Sequence, residues 1–73
     1  MTIGEWVTNL ANASESTEED SVIMQRYLKH CGYTKARVVY GVVYLTGHGF
    51  PRSIHSMAQI IQEEIEIEQE RMA

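Results

Sequence analysis

Four side chains in this chain belong to residue types that act as nucleophiles or bind metals: His30, Cys31, His48 and His55. A catalytic cysteine needs a histidine that faces it, but adjacent residues on a helix do not face each other, so His30 cannot activate Cys31. The spacing of the four residues also matches no compact zinc pattern. We therefore predict no catalytic residue, no metal site and no cofactor, and we interpret Cys31 as a buried structural thiol.

Two further groups of residues carry charge or backbone patterns that can bind ions. Five glutamates lie between residues 63 and 70, and we interpret them as a solvated helix face or tail rather than a paired-carboxylate site. The run Gly47-His48-Gly49 precedes a predicted helix start with Arg52 in its first turn, where free N–H groups can hold an anion. An ordinary tight turn explains the same residues more simply.

The first element that must position functional residues is a short N-terminal helix, assigned to residues 1–11. A helix of about two turns is unstable alone in water because nucleation is costly. Its apolar stripe must therefore dock, either on the chain's own core or on another chain, and tryptophan is enriched at binding hot spots. The residues proposed to contact a partner are Ile3, Trp6, Val7 and Leu10. Residues 12–17 are small and polar, which predicts a linker.

A second unit, residues 18–73, is predicted to form an α/β domain. It begins with a helix that Ser16 or Thr17 caps and that ends before Gly32. Residues 34–46 are rich in β-branched and aromatic types, which predicts a hairpin with Tyr40-Gly41 as its two-residue turn. In that register the apolar face consists of Ala36, Val38, Val43 and Leu45. The opposite, mixed face consists of Lys35, Arg37, Val39, Val42, Tyr44 and Thr46.

The last element is a helix predicted to start at Pro51, which suits a first helical turn. Its apolar stripe consists of Ile54, Met57, Ala58, Ile61 and Ile65. Residues 64–69 alternate between polar and apolar types and can form a strand, but we favour a helix that continues past Ile65. The predicted fold class is α+β: a short N-terminal helix, then helix–β-hairpin–helix, with a small open sheet that a partner or a C-terminal strand completes.

Charge divides the chain into three parts, although its net charge is only −4. Residues 1–20 carry acids without Lys or Arg, residues 21–62 carry bases without any acid, and residues 63–73 are again acidic. The acidic arms and the basic middle can neutralise each other within the chain or across a dimer. Alternatively, the basic middle contacts an anionic phospholipid surface or a small anion. The residues proposed for that contact are Lys35, Arg37 and Arg52. Nucleic acid is not expected, because the chain is acidic overall.

The run Gly41-Val-Val-Tyr-Leu-Thr-Gly47, followed by a helix that carries Ala58, resembles the BON domain family. The resemblance covers about residues 18–65 and implies a helix, a hairpin, a second helix and a closing strand. It also implies a binding or assembly module, linked to phospholipid surfaces or ring-like assemblies, without enzyme activity. The Gly-Val turn that precedes the family's closing strand does not occur here, so a partner strand is expected to complete the sheet.

The size of the chain leads to the functional prediction. A domain of 73 residues buries a small fraction of its surface and is marginal alone. We therefore predict a non-catalytic protein-interaction or assembly module, a small subunit or adaptor that binds a protein partner or further copies of itself. No export signal or membrane-spanning segment is visible, so a cytoplasmic location is expected.

Overall fold

The structure is a computed structural model that describes residues 2–47 and 49–72. Its order of elements is α1 (Ile3–Asn12), α2 (Glu18–His30), β1 (Arg37–Val39), β2 (Val42–Tyr44), β3 (Arg52–Ser53) and α3 (Ile54–Met72). The strands form one antiparallel sheet in the order β1-β2-β3. The predicted α+β class is confirmed. His48, a candidate metal or anion ligand in the sequence, lies outside the described residues.

Helix α2 begins and ends where its sequence predicts. The Thr17 hydroxyl accepts a hydrogen bond from the Asp20 N–H at 3.1 Å, and the Thr17 N–H donates to Asp20 Oδ2 at 2.9 Å. This capping box satisfies two N–H groups that the first helical turn leaves free. At the other end, Gly32 follows the C-cap residue with φ +105°, a left-handed conformation that glycine adopts without strain.

The hairpin has the predicted register, with Arg37 opposite Tyr44, Val38 opposite Val43 and Val39 opposite Val42. Both turn residues have positive φ, 50° at Tyr40 and 72° at Gly41, as a type I′ turn requires. The strands are shorter than predicted, three residues each. They nevertheless direct the buried side chain of Val43 and the half-buried side chain of Val38 toward the helices.

A third strand replaces the predicted start of the last helix. The prediction that Pro51 opens the helix is wrong, because Arg52 and Ser53 pair with Val43 and Val42 of β2. Helix α3 then begins at Ile54, whose N–H donates to the Gly41 carbonyl at 2.8 Å. The Ser53 hydroxyl accepts from the Ser56 N–H at 3.1 Å, as an N-cap side chain does. The sheet therefore gains its third strand from the segment before α3, not from a partner or the C-terminus.

Helix α3 is 19 residues long and continues past Ile65, as predicted. Its stripe supplies four of the buried core residues, and Ile65 is half-buried. The described residues of the C-terminal segment are thus helical and not a strand. The stripe residues that are buried are Ile54, Met57, Ala58 and Ile61.

One core joins all three helices to the sheet. Helix α1 packs along α3, and α2 packs against β1. The buried residues are Val7, Leu10, Ala11, Met24, Leu28, Ala36, Val43, Ile54, Met57, Ala58 and Ile61. Since α1 contributes three of these residues, the predicted division into a separate docking helix (1–11) and a domain (18–73) does not describe the packing. Helix α1 is one layer of the same domain.

Candidate functional site

The structure divides the predicted partner-binding stripe of α1. Val7 and Leu10 are 0% and 4% exposed, so the prediction that they contact a partner is wrong: they fill the chain's own core. Trp6 is half-buried against that core, and its indole N–H donates to Asp20 Oδ1 at 3.1 Å. Ile3 is the most exposed of the four residues, with 47% of its surface accessible.

The end of α1 is held by side chains of α3. Nδ1 of His55 lies 2.8 Å from the Leu10 carbonyl oxygen, and the ring must donate there because a carbonyl can only accept. Gln59 Nε2 donates to the Ala11 carbonyl at 3.2 Å. The last carbonyls of a helix have no partner within the helix. The Leu10 carbonyl also accepts from the Ala13 N–H at 3.3 Å, so the bonds from α3 add to the backbone cap of α1. His55 is therefore a half-buried residue that contacts the end of α1.

Asp20 joins α1 to α2 and makes the junction sensitive to acid. The hydrogen bond from the Thr17 N–H lowers the pKa of Asp20, burial partly opposes this, and the Trp6 indole and the charge of His55 lower it further. A carboxyl whose pKa is lower in the folded chain stabilises the fold above its ordinary pKa of about 3.9. That stabilisation is lost as the pH falls through the lowered pKa.

We expect the free energy of unfolding to decline below about pH 5 partly through this carboxyl. In the Asp20→Asn variant this side chain cannot ionise, so its contribution to the pH dependence of stability is absent. In denaturant titrations between pH 6 and pH 2.5, the free energy of unfolding of the variant should therefore decline less steeply with falling pH than that of wild type. Equal slopes for the two proteins would show that Asp20 does not titrate differently in the folded chain.

The residues proposed to bind an anion or a lipid headgroup do not converge. Arg37 lies opposite Tyr44 and Arg52 lies opposite Val43, and alternate positions along a strand point to opposite faces. Their side chains therefore leave the sheet on opposite sides, while Lys35 is exposed in the segment before β1. Arg52 is also a strand residue rather than part of a helix start, so the predicted anion site at the start of the last helix does not form.

Cys31 is exposed, which corrects its interpretation as a buried thiol. Burial raises the pKa of the Tyr27 phenol, and the neighbouring Cys31 thiol and the negative charges of Glu64 and Glu68 raise it further. No group of three or more potential metal ligands occurs among residues 2–47 and 49–72.

Part of each outer edge of the hairpin is hydrogen-bonded within the chain. The outer edge of β2 pairs with β3. On the outer edge of β1, the Val38 N–H donates to Gln25 Oε1 of α2 at 3.1 Å, so this donor is not available to a partner strand. An edge whose groups are already hydrogen-bonded is less open to a further strand. The predicted completion of the hairpin by a partner strand is therefore not favoured by the structure.

One face of the sheet is not covered by the helices, and we call it the open sheet face. It consists of Arg37, Val39, Val42, Tyr44 and Ser53. Val39 and Tyr44 are 37% and 42% exposed, and Tyr40, in the turn at the end of this face, is 99% exposed. The sequence pattern places the β1 and β2 residues on a mixed face, and Arg37 was the only one of them proposed as a contact. The signal was present, since the face that should meet solvent carries two valines and a tyrosine.

A groove of about 540 Å³ borders the open sheet face, between the start of α2 and the hairpin turn. It is lined by Ser16, Thr17, Glu18, Ser21, Val38, Val39, Tyr40 and Gly41. Val39 belongs to both surfaces, so the groove and the open sheet face are continuous. In its lining, hydroxyl groups stand beside valine side chains, and Glu18 is the one carboxylate. This composition suits contact with another molecule better than acid–base chemistry.

In comparisons with known proteins, no family model, curated protein or solved structure matches the chain. Among the helices of the described segments, none is both long enough and apolar enough to cross a membrane.

Proposed function

We propose that this chain is a non-catalytic protein-interaction module that binds its partner through the open sheet face. The observation that carries the proposal is the exposure of Val39 and Tyr44 on one side of a sheet whose other side is packed, next to a turn in which Tyr40 is fully exposed. A sheet with an apolar face is stabilised when another layer covers that face. In this chain the helices form the second layer on the other side of the sheet, so a layer over the open sheet face would come from another molecule.

The total surface supports the same proposal. The accessible surface is 5440 Å², whereas a compact monomer of 8.3 kDa is expected to expose about 4,600 Å². The radius of gyration, 12.0 Å, likewise exceeds the value of about 11 Å expected for this length. The excess surface is comparable to one side of a standard protein interface, about 800 Å². The chain therefore has the surface of a subunit more than that of a compact monomer.

The chemistry of this surface favours a protein over a lipid or a small anion. Arg52, one of the three basic residues of the alternative interpretation, leaves the sheet on the opposite side from Arg37. The open sheet face thus has one arginine beside aromatic and branched apolar side chains. Tyrosine and arginine next to apolar residues are the composition of protein-interface cores. The BON-like expectation of an assembly module agrees with this proposal.

The test is the native mass of the chain in extracts of the cells that produce it. An epitope-tagged wild-type chain should run in a complex well above its own 8.3 kDa. The Tyr44→Glu variant should run as a monomer, because a buried carboxylate without a partner is costly at an interface. The control is Phe50→Glu, which changes a 91% exposed aromatic residue outside the open sheet face and should leave the complex intact.

Both variants change exposed positions, so circular dichroism should show a folded chain in each case. A wild-type chain that runs at its monomer mass in these extracts would contradict the proposal. Retention of Tyr44→Glu in the complex would contradict it as well.

A further inference from the structure

We infer that the partner of the open sheet face is a second copy of this chain, which contributes the acidic second half of its α3. This inference rests on the proposed function and names the partner of the same surface. The residues on and beside the open sheet face define the chemistry of a partner surface that fits it. Arg37 lies on the face and Lys35 is exposed just before β1, and residues 21–62 contain no acid at all. A fitting partner surface is apolar and surrounded by carboxylates.

The second half of α3 has this chemistry. Ile67 is 50% exposed, and positions three and four residues away on a helix are its neighbours. Those neighbours are Glu63, Glu64, Glu70 and Arg71, all exposed. The half-buried Ile60 lies seven residues earlier on the same side of the helix, about 10 Å along the axis. We call Ile60, Ile67 and these neighbours the acidic stripe: two isoleucines bordered by three carboxylates.

The placement of these carboxylates is unfavourable for the helix itself. The C-terminal end of a helix carries partial negative charge, so acids there are destabilising. Glu64 and Glu68, and likewise Glu66 and Glu70, are like charges four residues apart, which repel each other. Each pair has one member in the acidic stripe, so a basic surface that packs against the stripe relieves part of this repulsion. These glutamates therefore lower the stability of α3 in the isolated chain, and a basic partner surface restores part of it in the complex.

Two copies can satisfy each other reciprocally. The open sheet face and the acidic stripe are different surfaces, so a two-fold axis generates two identical contacts in which each copy gives one of each. A helix laid on the open sheet face adds a third layer, which covers the exposed apolar side chains of that face. Such a dimer places Arg37 and Lys35 of one copy near the carboxylates of the acidic stripe of the other.

The experiment uses purified full-length chain and measures mass by light scattering and sedimentation over a range of concentrations. Wild type is expected to reach twice 8.3 kDa and to dissociate as salt is added, because exposed charges are screened. Arg37→Glu and Glu63→Lys alone should each weaken dimerisation by about tenfold or more, since each places like charges opposite one another. Glu15→Lys, which makes the same charge change in the exposed linker, is the control and should dimerise as wild type does.

An equal mixture of Arg37→Glu and Glu63→Lys is the decisive sample. In a mixed dimer one contact is wild type and the other has both charges exchanged, so the mixture should dimerise more tightly than either variant alone. Failure of the mixture to recover would overturn the inference, as would a wild-type chain that stays monomeric at about 1 mM, a concentration at which even weak complexes form.

A monomeric purified chain that still runs in a larger complex in cell extracts would overturn the second copy as partner and leave the proposed function standing. A monomeric chain that instead sediments with phosphatidylserine vesicles, and is released by salt, would overturn both and assign the face to an anionic membrane surface.

Discussion

The Leu10→Ala variant is expected to unfold with a free energy about 3 kcal/mol lower than that of wild type. Leu10 is 4% exposed and packs in the core shared by α1 and α3, so the truncation removes buried methyl groups and leaves a cavity. A domain of this size has a total stability of about 4–11 kcal/mol. The loss is thus a large share of the whole, and urea denaturation followed by circular dichroism measures it.

Ile3 provides the matched control, because it lies on the same stripe of the same helix but is 47% exposed. Ile3→Ala should lower the free energy of unfolding by less than about 1 kcal/mol. One result would contradict this prediction. If Leu10→Ala keeps the wild-type free energy of unfolding but loses its association with other molecules, then α1 docks on another chain rather than on its own core.

The hairpin and α2 were predictable because local chemistry specifies them. A period of two sorts residues 36–45 into an apolar and a mixed face in one register only, since a slip by one residue would exchange the faces. Gly41 supplies a residue that accepts positive φ at the turn. In α2, Thr17 and Gly32 mark the two ends with side-chain and backbone chemistry that operates within one helical turn.

The elements that were not predicted depend on contacts between residues far apart in the sequence. Strand β3 has two residues, too few for any periodicity, and it exists because the edge of β2 offers hydrogen bonds to Arg52 and Ser53. The hydrogen bond from the Val38 N–H to Gln25 joins residues 13 positions apart, and the sequence around neither residue predicts it. Likewise, the stripe of α1 shows that the helix must dock but contains no information on where.

The candidate site was missed for a related reason. Residue type directed attention to Trp6, whereas exposure decides which residues a partner can reach, and exposure is a property of the whole fold. The N-terminal helix is docked on the chain's own core, whereas Val39 and Tyr44 of the open sheet face stay exposed.

Trp6 tests whether the N-terminal helix is a structural layer of the domain. Trp6→Ala is expected to lower the free energy of unfolding by about 2 kcal/mol, less than the 3–5 kcal/mol typical of a fully buried aromatic residue, because Trp6 is only half-buried. Trp6→Phe keeps a ring against the core but removes the indole N–H that donates to Asp20, so its loss should be about 1 kcal/mol.

The hydrogen bond itself is isolated by combining Trp6→Phe with Asp20→Ala, which removes the acceptor oxygen that an asparagine would keep, in a cycle of four proteins unfolded in urea near pH 7. If the indole N–H and the carboxylate interact across α1 and α2, the double variant should lose less stability than the sum of the two single variants. The native mass of the purified chain should be unchanged in Trp6→Phe, because the indole belongs to the fold and not to the open sheet face. If the losses in the free energy of unfolding are additive, the Trp6 indole and the Asp20 carboxylate do not stabilise the contact between α1 and α2. A Trp6→Ala chain with wild-type stability but no association would instead return Trp6 to the surface that a partner contacts.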